Sequence, residues 1–133
     1  MSVKDLRQNA MMAHLLDALD QGKDIGHYGR LVFAMVARHF LSEKEVIAYL
    51  QKDKDFGEHD AQVLLKQVQG RDYNPPKPEK IHAWQQEQDF PICPDVDDPN
   101  ACNVYRDLTF PDGIYENIAE FYEDQVESEH AGR

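Results

Sequence analysis

The chain has only two cysteines, Cys93 and Cys102, in 133 residues. That is too few for a disulfide scaffold and too few for a four-thiolate metal site. The N-terminus, Met1-Ser2-Val3-Lys4-Asp5, has no apolar signal region. The expectation is a cytoplasmic protein with reduced thiols. No apolar run approaches the roughly 20 residues a membrane helix needs, so no membrane partner is expected. An excess of basic charge is also missing: 14 Lys and Arg stand against 25 Asp and Glu, for a net charge of −11. That balance argues against non-specific nucleic-acid binding, in which Lys and Arg neutralise phosphates. Catalytic signatures are absent as well. There is no Ser in a strained elbow, no Gly-rich phosphate loop with Lys, and no His-Glu metal spacing on one helix. The chain therefore reads as non-catalytic.

What is present is an ordinary globular composition, with 41% apolar residues, 6 Phe, 6 Tyr and 1 Trp. The length suits one domain with one core. The acidity is uneven: residues 1–92 hold 12 basic and 14 acidic residues, whereas residues 93–133 hold 2 and 11, a local charge of −9. The body is nearly neutral and the acidity is a C-terminal property. The carboxylates of residues 95–129 are most simply a solvated surface.

Apolar spacing predicts a mainly α fold of five or six helices. The first spans about 3–21, with Leu6, Ala10, Met11, Leu15, Ala18 and Leu19 on one stripe and Gly22 as its stop. The second runs from 24 or 26 to 40. Ser42 and Glu45 form a capping box for the third, which carries Val46, Ile47 and Leu50. The fourth spans about 58–69, with Ala61, Leu64, Leu65 and Val68, and closes at Gly70. A fifth spans about 79–88, with Pro78 in its first turn and Ile81, Trp84 and Gln85 on one side. A proline-rich irregular region over residues 70–112 packs on these helices. It has short extended pieces at Val104-Tyr105 and Leu108-Thr109-Phe110 and no helix over 89–112. Asp112 caps a last helix carrying Ile114, Ile118, Phe121 and Tyr122. The domain covers 1–124, followed by a frayed polar tail over 125–133.

The chain is organised around Asp24-Ile25-Gly26-His27-Tyr28-Gly29-Arg30, which leads into the apolar Leu31-Val32-Phe33-Ala34-Met35-Val36-Ala37. His27 and Arg30 lie one turn apart at the mouth of a helix that is apolar on nearly all sides. One reading is an anion site at a helix start, with Gly26 and Gly29 permitting close approach. The other is a helix-start His with a surface Arg paired to Asp24 or Asp20. Cys93 and Cys102 either ligate a metal from a loop or are small apolar residues; His82 is the nearest third ligand.

In this order the segments resemble the C-terminal domain of the archaeal and eukaryotic DNA primase large subunit, over roughly residues 10–110. The likeness rests on Leu15-Leu16-Asp17-Ala18-Leu19-Asp20-Gln21-Gly22, the His-x-x-Arg of His27 and Arg30, and Ser42-Glu43-Lys44-Glu45-Val46. It continues through Asp55-Phe56, Tyr73-Asn74-Pro75-Pro76-Lys77-Pro78-Glu79-Lys80-Ile81 and the final cysteine pair. That family holds a 4Fe–4S cluster with four cysteines. By position they fall near Met11, at Pro78, at Cys93 and at Cys102, so half of the ligand set is missing here. The resemblance implies no cofactor, or an iron–sulfur cluster only if another chain shares or completes the ligands. It gives His27 and Arg30 a 5′-triphosphate end as ligand, with Lys23, Arg38 and Arg71 as support. The family's aromatic and His near Val63 and Gln67 are absent. The expected function is a nucleic-acid or nucleotide-binding accessory domain. The alternative is a repurposed scaffold binding a protein partner through its acidic C-terminal region.

Overall fold

A computed structural model describes residues 2–95, 97–111, 113 and 114. Among them are seven α-helices, one 3-10 turn and no strand. The mainly α class is as expected. The helices are α1 (Val3–Leu6), α2 (Ala10–Asp20), α3 (Gly26–Ala37), α4 (Glu43–Leu50), α5 (Glu58–Gly70), α6 (Pro78–Gln85) and α7 (Val104–Asp107); the 3-10 turn is Pro99–Cys102.

The single helix expected over residues 3–21 is broken at Asn9. Asn9 Oδ1 accepts from Met12 N at 3.1 Å, which caps α2 and ends α1 before it. Asn9 is fully buried, and its Nδ2 donates to Asp107 Oδ2 at 3.0 Å, so the cap also ties α2 to α7. Gly22 is the stop the pattern predicts. Its φ of +72° suits glycine, and Gly22 N and Lys23 N bond back to the carbonyls of Leu19 and Ala18. α5 closes at Gly70, as the pattern predicts, though without a left-handed glycine. Gly70 is the last helical residue, and Asp72 takes the left-handed position at φ +48°. The Asp72 carboxylate is held by Arg38 at 2.9 Å.

α3 is the central helix and contacts α2, α4, α5 and α6. Its Gly29, Val32, Phe33, Ala34, Met35, Val36 and Ala37 are all buried. Full burial of a side chain the size of Phe33 contributes about 2 kcal/mol. It ends at Ala37, and tight turns carry the chain to Leu41. The Ser42 capping box then forms in both directions, Glu45 N to Ser42 Oγ and Ser42 N to Glu45 Oε1, each at 3.2 Å. Pro78 occupies the first turn of α6, where its missing N–H costs nothing.

The proline-rich region packs on the helices, as expected, but it is not free of helix. Val104-Tyr105, expected to be extended, begins α7 because Asn103 Oδ1 accepts from Tyr105 N at 3.2 Å. Pro99–Cys102 forms the 3-10 turn, capped by Asp98. Ile92, Val104, Leu108 and Phe110 join the core, and the Phe110 ring meets Phe40 edge-on at 5.4 Å. Ile114 is buried. The remainder of the helix expected from Asp112, and the tail over 125–133, lie outside the described residues.

Candidate functional site

α3, α5, α6 and α7 and the segment over residues 73–77 line a half-open cavity of about 830 Å³. His27, Leu31 and Met35 line it from α3 at i, i+4 and i+8, a single stripe along that helix. Leu64 and Gln67 contribute from α5, Glu79, Lys80 and Trp84 from α6, and Tyr105 from α7. Tyr73, Asn74, Pro75, Pro76 and Lys77 close the remaining wall. Prolines fix that wall, and the Tyr105 hydroxyl donates to the Pro75 carbonyl.

The walls carry the rings of Tyr73, Trp84 and Tyr105, and the charged lining is Lys77 and Lys80 with one acid, Glu79. Trp84 stacks on Tyr28 with centroids 5.4 Å apart and planes at 19°. Lys80 Nζ lies 5.4 Å from the Trp84 ring, one helical turn back. His27 is exposed. Asn74 Oδ1 is buried without a hydrogen-bond partner among the described residues. An unpaired buried acceptor costs about 1–3 kcal/mol.

The structure does not bring His27 and Arg30 to one site. Arg30 Nη1 lies 2.9 Å from Asp53 Oδ2 and 3.1 Å from Asp24 Oδ1, with the guanidinium 4.5 Å from the Phe56 ring centre. Of the two partners weighed from sequence, Asp24 is the one observed, and Asp53 joins it. The Asp24, Asp53 and Asp55 carboxylates lie within 4.8 Å of one another, and Arg30 supplies the cation beside them. The bond from Gly26 N holds the Asp24 carboxyl below its usual range, with Arg30 adding to the effect.

Arg38 and Arg71 reach the cavity only through its wall. Arg38 Nη2 bonds Asp72 at 2.9 Å and the Tyr73 carbonyl at 3.1 Å. Arg71 Nη1 bonds the Tyr73 hydroxyl at 3.1 Å. Lys23 is exposed beyond the end of α2 and does not line the cavity. Sequence reasoning missed Asn74, Lys77, Lys80, Trp84 and Tyr105 as site residues. The i, i+4 spacing of Lys80 and Trp84 is the available signal, whereas the sequence reading rests on Ile81, Trp84 and Gln85 as one side of the helix.

The two cysteines meet a third group. His82 from α6, Cys93 from the segment after it and Cys102 from the 3-10 turn place their ligand atoms within 4.8 Å of one another. His82 Nε2 lies 3.7 Å from Cys102 Sγ. Gln85 Oε1 accepts from Cys93 N at 2.9 Å, and Cys93 Sγ donates to the Asp95 carbonyl at 3.3 Å. Both cysteines are buried. Burial pushes the Cys102 thiol up to about 12, with Cys93 beside it adding to the rise.

This donor set does not fit a 4Fe–4S cluster, which takes four thiolates. Met11 is fully buried in the apolar core and Pro78 opens α6, and neither a thioether nor a proline ring replaces a thiolate. Among the described residues, no helix is long and apolar enough to cross a membrane. Comparison with protein-family models, curated proteins and solved structures finds no match to this chain.

Proposed function

We propose that the chain is a non-catalytic nucleotide- or nucleic-acid-binding accessory domain, resembling the primase large subunit's C-terminal domain, with the α3–α6 cavity as its binding surface. The observation that carries this reading is the pairing of Lys80 with Trp84 on the cavity wall, a mobile cation beside a large aromatic face. Bases stack on aromatic rings for about 1–3 kcal/mol each. Lysine is a flexible point charge that can exchange a ring for a phosphate. His27, at the rim, keeps its assignment to the phosphate end; Arg38 and Arg71 are assigned to holding the wall, and Arg30 to holding the start of α3.

The near neutrality of residues 1–92 fits recognition of a strand end or a single nucleotide rather than of a long duplex. Trp84 is the single tryptophan, so its fluorescence reports on the cavity directly. Titration with a 5′-triphosphorylated primer–template junction at low salt should quench it. Lys80→Ala should weaken binding and reduce the salt slope by about 1. No quenching and no retention of the junction at low salt would overturn the reading.

The second reading, a protein-interaction scaffold, is favoured by the charge of −9 over residues 93–133. Its test is a co-purifying protein that is lost when residues 112–129 are deleted. Unchanged recovery would count against it, and the junction titration is independent of that deletion.

A further inference from the structure

The strongest feature outside the cavity is the meeting of His82, Cys93 and Cys102. We propose that these three residues form a mononuclear binding site for a thiophilic divalent cation of the zinc class, with the fourth tetrahedral position left to water or a small exogenous ligand.

Zinc–sulfur bonds of about 2.3 Å and zinc–nitrogen bonds of about 2.0 Å set a tetrahedral edge of about 3.6 Å between a sulfur and a nitrogen. The Cys102 Sγ to His82 Nε2 distance of 3.7 Å already matches that edge. The remaining separations, all within 4.8 Å, need only a small contraction. The donor types agree with the metal: two soft thiolates and one imidazole suit zinc, whereas calcium and magnesium take oxygen ligands. Two thiolates also balance a doubly charged cation. Binding releases the two thiol protons to solvent.

The surroundings hold the donors in place. Gln85, one turn along α6 from His82, accepts the backbone N–H of Cys93 at 2.9 Å and so fixes the second ligand to the helix of the first. The 3-10 turn that carries Cys102 packs against both α2 and α6. Two of the three donors are buried and His82 is half-buried. The ligands come from three segments of the proline-rich region and its flanking helix. A bound ion would cross-link them and favour the folded state by mass action.

The test uses the full chain, stripped with chelator and kept reduced. Cobalt(II) serves as the visible probe and zinc(II) as its competitor. One equivalent of cobalt should produce the visible bands and thiolate charge transfer of a tetrahedral site, and zinc should bleach them. Zinc should also raise the thermal midpoint. His82→Ala, at the half-buried position, should keep the fold by circular dichroism and weaken cobalt binding at least tenfold. Cys93→Ser and Cys102→Ser should each remove most of the charge-transfer intensity. A folded chain that stays colourless with excess cobalt would overturn the site. So would a Cys93–Cys102 disulfide in protein purified under reductant, or a brown protein carrying a four-iron cluster.

Discussion

Arg30 Nη1 lies 2.9 Å from Asp53 Oδ2, and the Asp53 side chain has no exposure to solvent. The same oxygen accepts from Ile25 N at 3.0 Å, and Asp53 Oδ1 accepts from Asp55 N at 3.1 Å. One carboxylate therefore gathers the start of α3 and the loop after α4. The guanidinium is its counter-charge. Arg30 is thus placed to hold the start of the central helix, and the polar mouth of α3 divides in two: His27 faces the cavity, while Arg30 faces a buried acid.

Removing Arg30 leaves that acid uncompensated, and breaking a buried pair from one side costs about 3–5 kcal/mol. Arg30→Ala should lower the unfolding free energy, and with it the urea midpoint, by an amount of free energy near the low end of that range, without any ligand present, because Arg30 itself retains 15% exposure. Adding Asp53→Asn removes the stranded charge and should recover part of the loss. Urea denaturation of the two single variants and the double variant measures the coupling. Equal midpoints for Arg30→Ala and the parent would show that the pair contributes nothing. Lys80→Ala, at an exposed position, should leave stability within about 0.5 kcal/mol, which makes it the cleaner probe of the cavity.

Gly26 and Gln88 form a second lock on the same helix start. Gly26 has φ +78°, and a Cβ placed there would meet the Gln88 carboxamide at 2.6 Å. That carboxamide is pinned on three sides: Oε1 accepts from Tyr28 N at 2.9 Å, and Nε2 donates to the carbonyls of Ile25 at 2.9 Å and Phe90 at 3.0 Å. Gly26→Ala should cost about 1–2 kcal/mol from the left-handed backbone alone, with the collision added. Gln88→Ala should cost about 1–3 kcal/mol from the carbonyls and amide it abandons. In the double variant the collision disappears, so the summed loss should fall short of the two single losses. Strict additivity in thermal melts would mean that the two residues do not interfere.

These locks also show what the sequence could and could not convey. Ser42 and Glu45 were legible because a capping box is local: both partners lie within four residues, and the geometry follows from the spacing. Gly22 was legible for the same reason. Asn9 was not, because a polar residue inside an amphipathic pattern reads as a solvated position until Asp107, distant in sequence, is seen to receive it. Asp53 lies between the third and fourth helical patterns, and nothing local marks it as the buried partner of Arg30. The cysteines and His82 as their nearest third ligand were legible, whereas the meeting of the three follows only from the fold of the proline-rich region. Periodicity gave the helices, whereas the side chains that join them are fixed by tertiary contacts that no short window contains.

His39 supplies the pH dependence. Its pKa is lowered to about 4, first by burial and then by the adjacent Arg38, with Asp72 opposing. Nε2 is buried without a hydrogen-bond partner among the described residues, and the ring meets Phe110 edge-on at 5.8 Å. The imidazole is therefore folded in its neutral form. In the unfolded chain it titrates near its ordinary value of about 6.5. Between those two values the unfolded state binds the extra proton, so stability falls as pH drops from about 6.5 towards 4 and the His39 contribution levels off below that. Above pH 6.5 both states are neutral and the contribution is fully present. His39→Gln cannot titrate in this range, while the carboxylates common to both proteins cancel in the comparison. The difference in urea midpoint between parent and variant should therefore shift steadily against the parent on acidification over this window. A difference that stays constant from neutral pH down to about 4 would show that the imidazole titrates as freely in the folded chain as in the unfolded one.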